Sequence, residues 1–209
     1  MTAPSPLALW STEDAPLILA SASTIRRVLI EASGIPVEVQ PADIDERAIE
    51  AALAGRPGRD IAASLAGAKA EQVSRLVPHR IVLGADQTLV VGGRALHKPS
   101  GRRQAAEHLE ILSGRSHQLH SGLALAMNGH VIWTHVETAT MQVRPLSAAF
   151  INGYLDAAGE AVLKSVGAYQ IEGLGMHLFD RIEGDHSTIL GLPLLPLLHQ
   201  LRNMGLVIE

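Results

Sequence analysis

The sequence predicts an α/β domain, and three stretches carry that prediction. Leu17-Ile-Leu-Ala20 is an apolar run of strand length, and a helical period follows it at Ile25, Val28, Leu29 and Ala32. Ile81 to Val91 reads as a longer apolar strand that ends at Gly92-Gly93, a hairpin turn. Asn128-Gly129 lies between two extended runs and marks a second hairpin. With 209 residues, the chain forms one large domain or two small lobes sharing a core. Its 47% hydrophobic content suffices for that core, which two each of Trp, Tyr and Phe make mainly aliphatic.

Met1 to Pro16 has no basic segment or long apolar run, and reads as a frayed lead-in rather than a signal peptide. Ser23 is placed as N-cap of the first helix, and Gly34-Ile-Pro36 as its stop. Val37-Glu-Val39 is a short strand ended by Pro41, and a helix is expected over Arg47 to Leu53. After the loop Gly55-Arg-Pro-Gly58, Asp60 is the expected N-cap of a helix from Ile61 to about Leu76. Leu65, Ala68, Gln72 and Leu76 run down one side of it. Lys69 borders that stripe, and its commoner explanation is a snorkelling lysine whose stem covers apolar surface. Arg94-Ala-Leu-His leads into Lys98-Pro99, a loop held extended by the proline. A helix is predicted over Arg102 to Leu112, strands over His117 to Ala126 and Val131 to about Val143, and a Ser147-capped helix through Leu155. Residues 168–173 and 176–179 read as short strand pieces, and Ile182 to Thr188 as a polar loop. Gly191-Leu-Pro193 opens a C-terminal helix to about Met204.

Composition narrows the function. A net charge of −4 and a pI near 6.2 argue against nucleic-acid binding. The absence of cysteine excludes disulfides, thiolate metal sites and cysteine nucleophiles, and fits a cytoplasmic setting. No apolar run reaches about 18 residues, so no membrane span is expected. The sequence contains no G-x-x-x-x-G-K-[ST] loop, no strand-linked G-x-G-x-x-G, no H-E-x-x-H and no G-x-S-x-G.

What remains is a set of charges. Arg26 and Arg27 fall in the first turn of a helix, where the dipole disfavours cations. Either they are solvated surface residues, or a bound polyphosphate draws guanidinium, Ser21 and Ser23 hydroxyls and backbone N–H groups onto one anion. Asp86 lies in the middle of an apolar strand. Burying it demands a cation, a metal or water beside it, unless Gly84-Ala-Asp86 is a surface turn. Lys69 and Lys98 add positive charge, and Asp45, Glu46 and Asp86 form a carboxylate set. Cations for phosphate, with carboxylates for a divalent ion or an attacking water, suit phosphoric-anhydride chemistry.

Six motifs in order then resemble the Maf family of nucleotide pyrophosphatases: Leu19-Ala-Ser21-Ala-Ser23-x-x-Arg26-Arg27, Gly84-Ala-Asp86-Gln87, Lys98-Pro99, Leu112-Ser-Gly114-Arg-x-His117, Gly167-Ala-Tyr-x-Ile-Glu172-Gly173 and Gly191-Leu-Pro193-Leu. The resemblance implies a single domain over residues 17–209, with a central elongated mixed sheet and two lobes flanking a cleft, similar to inosine-triphosphate pyrophosphatases. It implies a homodimer, and hydrolysis of a nucleoside triphosphate to monophosphate and pyrophosphate with Mg²⁺ or Mn²⁺. By the same resemblance Ser21, Ser23 and Arg26 hold phosphates, and Lys69 and Lys98 neutralise the leaving pyrophosphate. Glu46 and Asp86 are metal ligands, and Asp86 is the general base. Ile25, Gln87 and Glu172 would set base preference. The Gln87–Glu172 pair resembles the branch acting on 7-methyl-GTP, whereas Gly-Ala-Asp-Thr with a glutamine marks dTTP/UTP pyrophosphatases. Thr24-Ile25 and Asp185-His-Ser-Thr188 depart from the usual pattern. A nucleotide-binding regulator of septum formation with incidental turnover is the alternative.

Overall fold

The computed structural model describes residues 9–11 and 15–208. Among the described residues, seven strands form one mixed sheet: β1 (Leu17–Leu19), β2 (Val37–Val39), β3 (Val82–Val91), β4 (Arg94–Leu96), β5 (Ser116–Met127), β6 (His130–Val143) and β7 (Phe179–Glu183). The helices are α1 (Thr24–Ala32), α2 (Glu46–Ala52), α3 (Gly58–Leu76), α4 (Arg102–Leu112), α5 (Ala148–Ala158), α6 (His186–Ile189) and α7 (Leu194–Asn203). The order across the sheet is β2-β1-β3-β5-β6-β7, parallel among the first three strands and antiparallel thereafter. Both hairpins form where expected. Gly92 and Gly93, and Asn128 and Gly129, all have the positive φ that a tight two-residue turn demands.

β3 and β5 organise the molecule. Leu83, Ala85, Gln87, Leu89 and Val91 alternate onto one face of β3, beside Leu119, Ser121, Leu123 and Leu125 of β5. The two ends of this face belong to different cores. Leu83, Ala85, Leu123 and Leu125 pack with Ile30 of α1 and Leu197 and Leu201 of α7. Leu89, Val91 and Leu119 pack with Leu109 and Leu112 of α4 and Tyr154 and Leu155 of α5. Between the two cores stand Gln87 and Ser121, paired across the strands. Two lobes therefore share one sheet, with a polar seam between them.

On the other face α3 lies tight against β3 and β5. Gly84 and Gly122 permit the approach: a Cβ on Gly84 would stand 2.0 Å from the carbonyl oxygen of Ala66, and one on Gly122 2.5 Å from that of Ala62. The buried stripe of α3 is Ala62, Leu65, Ala66, Lys69, Ala70 and Val73. This corrects the expected stripe, because Leu76 is 62% exposed. The helix also starts three residues early, at Gly58, so Asp60 sits in its first turn and pairs with Arg56 instead of capping.

Other expectations need correction. In α1 the buried residue is Ile30, while Val28 and Ala32 face solvent. Residues 168–173 and 176–179 are not strand pieces. Three 3₁₀ turns (Gly159–Lys164, Val166–Ala168, Leu174–Leu178) precede β7. Glycines at 167, 173 and 175 interrupt any ladder there, and Gly175 donates to the Gln170 carbonyl instead. The polar loop at Ile182 to Thr188 is the end of β7 plus α6, whose N-cap Asp185 accepts from the backbone of Ser187 and Thr188. The frayed lead-in also fails at Leu9–Ser11. Trp10 is buried and bridges Val207, and Ser11 donates to Leu206. Residues 1–8 and 12–14 of that lead-in lie outside the described residues.

Gly84→Ala should cost about 3 kcal/mol, because the new methyl meets helix backbone that cannot rotate away. Gly153→Ala, in the exposed middle of α5 with open space around it, should instead stabilise by about 0.5–1 kcal/mol. Urea midpoints of the two variants, moving in opposite directions, check both.

Candidate active site

β1 and β4 share one edge of β3, with β5 on the other. β1 pairs only with Val82 and Leu83, and β4 only with Leu89 to Val91. The β3 edge from Gly84 to Thr88 thus has no strand beside it. Asp86 and Gln87 lie in this gap and, being consecutive, point to opposite faces of the sheet.

Asp86 points towards α3 and is 8% exposed, so the alternative of a surface turn is excluded. Lys69 reaches it from the buried stripe, with Nζ donating to Asp86 Oδ1 at 2.6 Å. The same ammonium lies 2.8 Å from Glu46 Oε1 at the start of α2. Lys69 is therefore not a snorkelling lysine: its charge ends on two carboxylates. Asp45, the third carboxylate of the set, caps α2 by accepting from Ala48 N–H at 3.0 Å.

Arg26 does not extend from the helix end into solvent. Its Nε donates to the Gly191 carbonyl (2.9 Å), and its Nη1 to the Ala85 carbonyl (2.6 Å) and Ser21 Oγ (3.1 Å). Burial pulls its pKa down, and the fields of Asp86 and Glu46 oppose that shift. A Cβ on Gly191 would lie 3.2 Å from Nη2, so the absence of a side chain there makes room for the guanidinium. Ser21 Oγ accepts from Arg26 and from Ser23 N–H (3.3 Å), which leaves its own proton available to donate. Ser23 occupies the N-cap position, but its side chain does not cap. Arg27 pairs with Glu31 on the surface, where the solvated reading applies.

Lys98 is exposed, two residues beyond Leu96 of β4. Its neighbour His97 approaches Glu50 of α2 at 3.5 Å, which sets this loop beside the helix that begins with Glu46.

On the opposite side of the edge, one pocket collects Ile25, Gln87 and Glu172, the three residues expected to set specificity. Tyr169, Gln170 and Ile189 line it with them. Gln87 Nε2 faces three acceptors: Ser121 Oγ (3.0 Å), the Ile189 carbonyl (3.0 Å) and the Thr188 carbonyl (3.2 Å). Two carbonyls can only accept, so the nitrogen must face them and Oε1 must face elsewhere. Sequence reasoning missed Ser121, Tyr169 and the α6 carbonyls. A buried serine on an apolar strand was the available signal for the first of these.

Behind the pocket, His117 Nε2 lies 2.7 Å from the Tyr169 hydroxyl. Burial lowers the His117 pKa to about 4 and raises that of Tyr169, so both are neutral at pH 7. Tyr154, pushed up to about 12 by burial and then by Glu172, donates to the Ala168 carbonyl.

A model of Maf-like proteins matches residues 16–204. The chain belongs to the Maf-like family. It is 52% identical over 201 residues to a nucleoside triphosphate pyrophosphatase of Nitrobacter winogradskyi, covering 96% of this chain and 99% of the relative. It is also 52% identical over 193 residues to a 7-methyl-GTP pyrophosphatase of Rhizobium meliloti, covering 91% and 97%. A HAM1 protein from Coxiella burnetii is a distant structural neighbour (TM-score 0.42, 17% identity, covering 61% of this chain and 72% of that one), too distant to carry an argument. No helix among the described residues is long and apolar enough to cross a membrane.

Lys69→Met should cost about 3–5 kcal/mol, since it strands a buried carboxylate. Glu46→Gln, with its side chain 51% exposed, should cost under about 1 kcal/mol. Denaturant titrations at pH 7 check this contrast. His117 supplies a pH test. Its unfolded pKa of 6.5 exceeds the native value of about 4, so between them the unfolded chain binds more protons and stability falls as pH falls. The loss opens below 6.5, saturates below about 4 and amounts to about 3 kcal/mol. Melting temperatures of wild type and His117→Gln across pH 7 to 4 should show a shallower acid slope in the variant.

Proposed function

We propose that this Maf-like protein is a nucleoside triphosphate pyrophosphatase, and that its preferred substrate is 7-methyl-GTP. The carrying observation is the buried ammonium of Lys69, which holds two carboxylates beside the open edge of β3. Several charged groups converging on one cleft are the mark of chemistry.

Lys69 occupies Asp86 Oδ1 and fixes the carboxylate plane, so Oδ2 is the group that takes a proton from water. The water oxygen forms a bond to the α-phosphorus as the bond from that phosphorus to the α–β bridging oxygen breaks. The proton passes to Asp86, and pyrophosphate leaves with the electron pair of the broken bond. The Ser21 hydroxyl, the Arg26 guanidinium and Lys98 meet the phosphate oxygens, and a positive field there stabilises the departing charge. Ser23 adds a further hydroxyl at the helix start.

The carboxylates also fit a divalent ion. Glu46 and Asp86 converge on the Lys69 ammonium; beside it, Glu46 Oε2 and one lone pair of the Asp86 carboxylate would hold the ion, while another lone pair of Asp86 Oδ2 faces the water. Two hard oxygen donors suit Mg²⁺ or Mn²⁺. When bound, the ion would supply positive charge to offset that of the phosphates.

The base assignment follows from acceptors. Gln87 Oε1 and the Glu172 carboxylate both accept, and a guanine edge offers N–H donors at N1 and N2. N7-methylation makes the ring cationic, which the Glu172 charge favours, while Ile25 supplies apolar contact. The relative named 7-methyl-GTP pyrophosphatase supports this reading.

The test is pyrophosphate release with Mg²⁺ or Mn²⁺ across dTTP, UTP, CTP, GTP and 7-methyl-GTP. Preference for 7-methyl-GTP is expected. A pyrimidine preference would retain the enzyme and reject the base assignment, and binding without turnover would point to a nucleotide-sensing regulator. Asp86→Asn should bind nucleotide and lose about a hundredfold in kcat; unchanged turnover would sink Asp86 as the base.

A further inference from the structure

The wall of the pocket that carries Glu172 has no strand to hold it. Residues 165–178 are 3₁₀ turns and bends, with Gly167 (φ 75°) and Ala168 (φ 62°) in the left-handed region. For a residue with a Cβ, that conformation persists only where surrounding contacts impose it. Those contacts are visible. Tyr169 reaches inward to His117 at 2.7 Å, and Tyr154 donates to the carbonyl of Ala168 at 3.2 Å. Gly167 lies against the Tyr169 ring and Leu89, where a Cβ would come within 2.8 Å of the ring and 2.6 Å of the leucine.

From this anchor the geometry passes outward to the carboxylate. The Gln170 carbonyl accepts from both Gly173 N–H and Gly175 N–H, closing a tight loop with Glu172 at its tip. A Cβ on Gly175 would stand 2.4 Å from that same carbonyl oxygen, so the absence of a side chain there is what lets the loop close this tightly. His117 itself sits on β5 and is 2% exposed. Its ring packs 5.7 Å from Tyr169 and 6.1 Å from Phe179, the first residue of β7. Tyr169 and Phe179 meet edge to face at 5.0 Å. β7 leads directly into α6, whose carbonyls orient Gln87. One imidazole therefore braces both walls of the pocket.

We propose that His117 is a positioning residue for nucleobase selection, fixing Glu172 through the Tyr169 hydroxyl and the Gln170 turn. It touches no substrate. The proposal rests on the assignment of the Ile25–Gln87–Glu172 pocket to the base. The rings packed on the imidazole, Tyr169 and Phe179, are both uncharged at pH 7.

His117→Leu and His117→Gln test it together. Leucine keeps apolar bulk and removes the hydrogen-bond partner of the Tyr169 hydroxyl, whereas glutamine returns one near the position of Nε2. In the leucine variant, the ratio of kcat/KM between the preferred triphosphate and the next best should fall about tenfold, mainly through KM. The glutamine variant should restore the ratio to within about threefold of wild type. Packing alone predicts the reverse order, with the apolar leucine the better substitute. Amide exchange over residues 170–176 gives a readout independent of turnover, and should rise about tenfold in His117→Leu and return in His117→Gln. Exchange and selectivity unchanged in His117→Leu would overturn the positioning role. Should His117→Leu not fold, Tyr169→Phe removes the same bond with the ring retained, and the same readouts apply. Glu172→Gln separates the two ideas: a wild-type selectivity profile in that variant rejects the base pocket, while the exchange result still decides the role of His117.

Discussion

A lysine ammonium buried between two carboxylates is the constraint from which the rest of this structure follows. Asp86 could not otherwise stand in the middle of a strand whose neighbours Val82, Leu83, Ala85 and Leu89 are fully buried. An unpaired carboxylate there would cost several kcal/mol or take up a proton. Lys69 lifts that penalty only if α3 lies close enough for Nζ to reach Oδ1 at 2.6 Å. The closeness comes from Gly84, two residues before Asp86, which lets the carbonyl of Ala66 press against the strand. Ala66, Lys69 and Ala70 are thus one contact surface, on which alanines set the distance and the lysine uses it. Glu46 takes a second side of the ammonium from the rim, where its half-exposed carboxylate adds little stability but stays accessible to a ligand.

The position of the cleft is a consequence of strand pairing. β3 spans ten residues, yet its partners on one edge cover only its two ends. The chain between these partners departs in different directions: β1 gives way to α1, and β4 to α4. Each helix builds its own apolar core on the same face of the sheet. At the unpaired centre, alternation sends Asp86 to the α3 side and Gln87 into the seam between the cores. A single dipeptide therefore supplies both sides of the site with chemically different groups.

Much of this was legible in the sequence, and the failures have physical causes. α4 and α5, both hairpins and the long strands follow from local periodicity and turn chemistry, which tertiary context did not override. The convergence of Asp86, Lys69, Glu46, Arg26 and Ser21 was anticipated as a set, but its geometry was not. Nothing in the neighbourhood of Lys69 distinguishes a snorkelling stem from a buried ammonium, because its partner is 17 residues away. Arg26 was read either as a solvated surface cation or as one drawn to a bound polyphosphate. In the fold, carbonyls of Ala85 and Gly191 satisfy it first, over sequence separations of 59 and 165 residues. The stripe of α1 was misread for a similar reason. Only Ile30 is fully buried on that helix, Leu29 packs against the same core partly buried, and Val28 is left 45% exposed. The region from Gly159 to Leu178 defeated periodicity because its order comes from hydroxyl–carbonyl and hydroxyl–imidazole bonds rather than from a ladder.

The polar edge of the pocket is a property of α6 and Gln87 together. Asp185 caps the short helix and is held ionised first by the Ser187 hydroxyl and then by backbone N–H groups. That cap fixes where the carbonyls of Thr188 and Ile189 point, and those carbonyls fix the Gln87 amide. Ser121, fully buried, donates to Thr188 while accepting from Gln87, so the arrangement closes on itself. Exchanging the glutamine for a residue without an amide would strip the Ile189 carbonyl of its donor, at a cost of about 1–3 kcal/mol, whereas the Thr188 carbonyl would keep Ser121 and Gly191 N–H. The residue at 87 and the segment 185–189 must therefore change together if the pocket is to present a different edge. Gln87 and the segment 185–189 are two halves of one hydrogen-bonded unit.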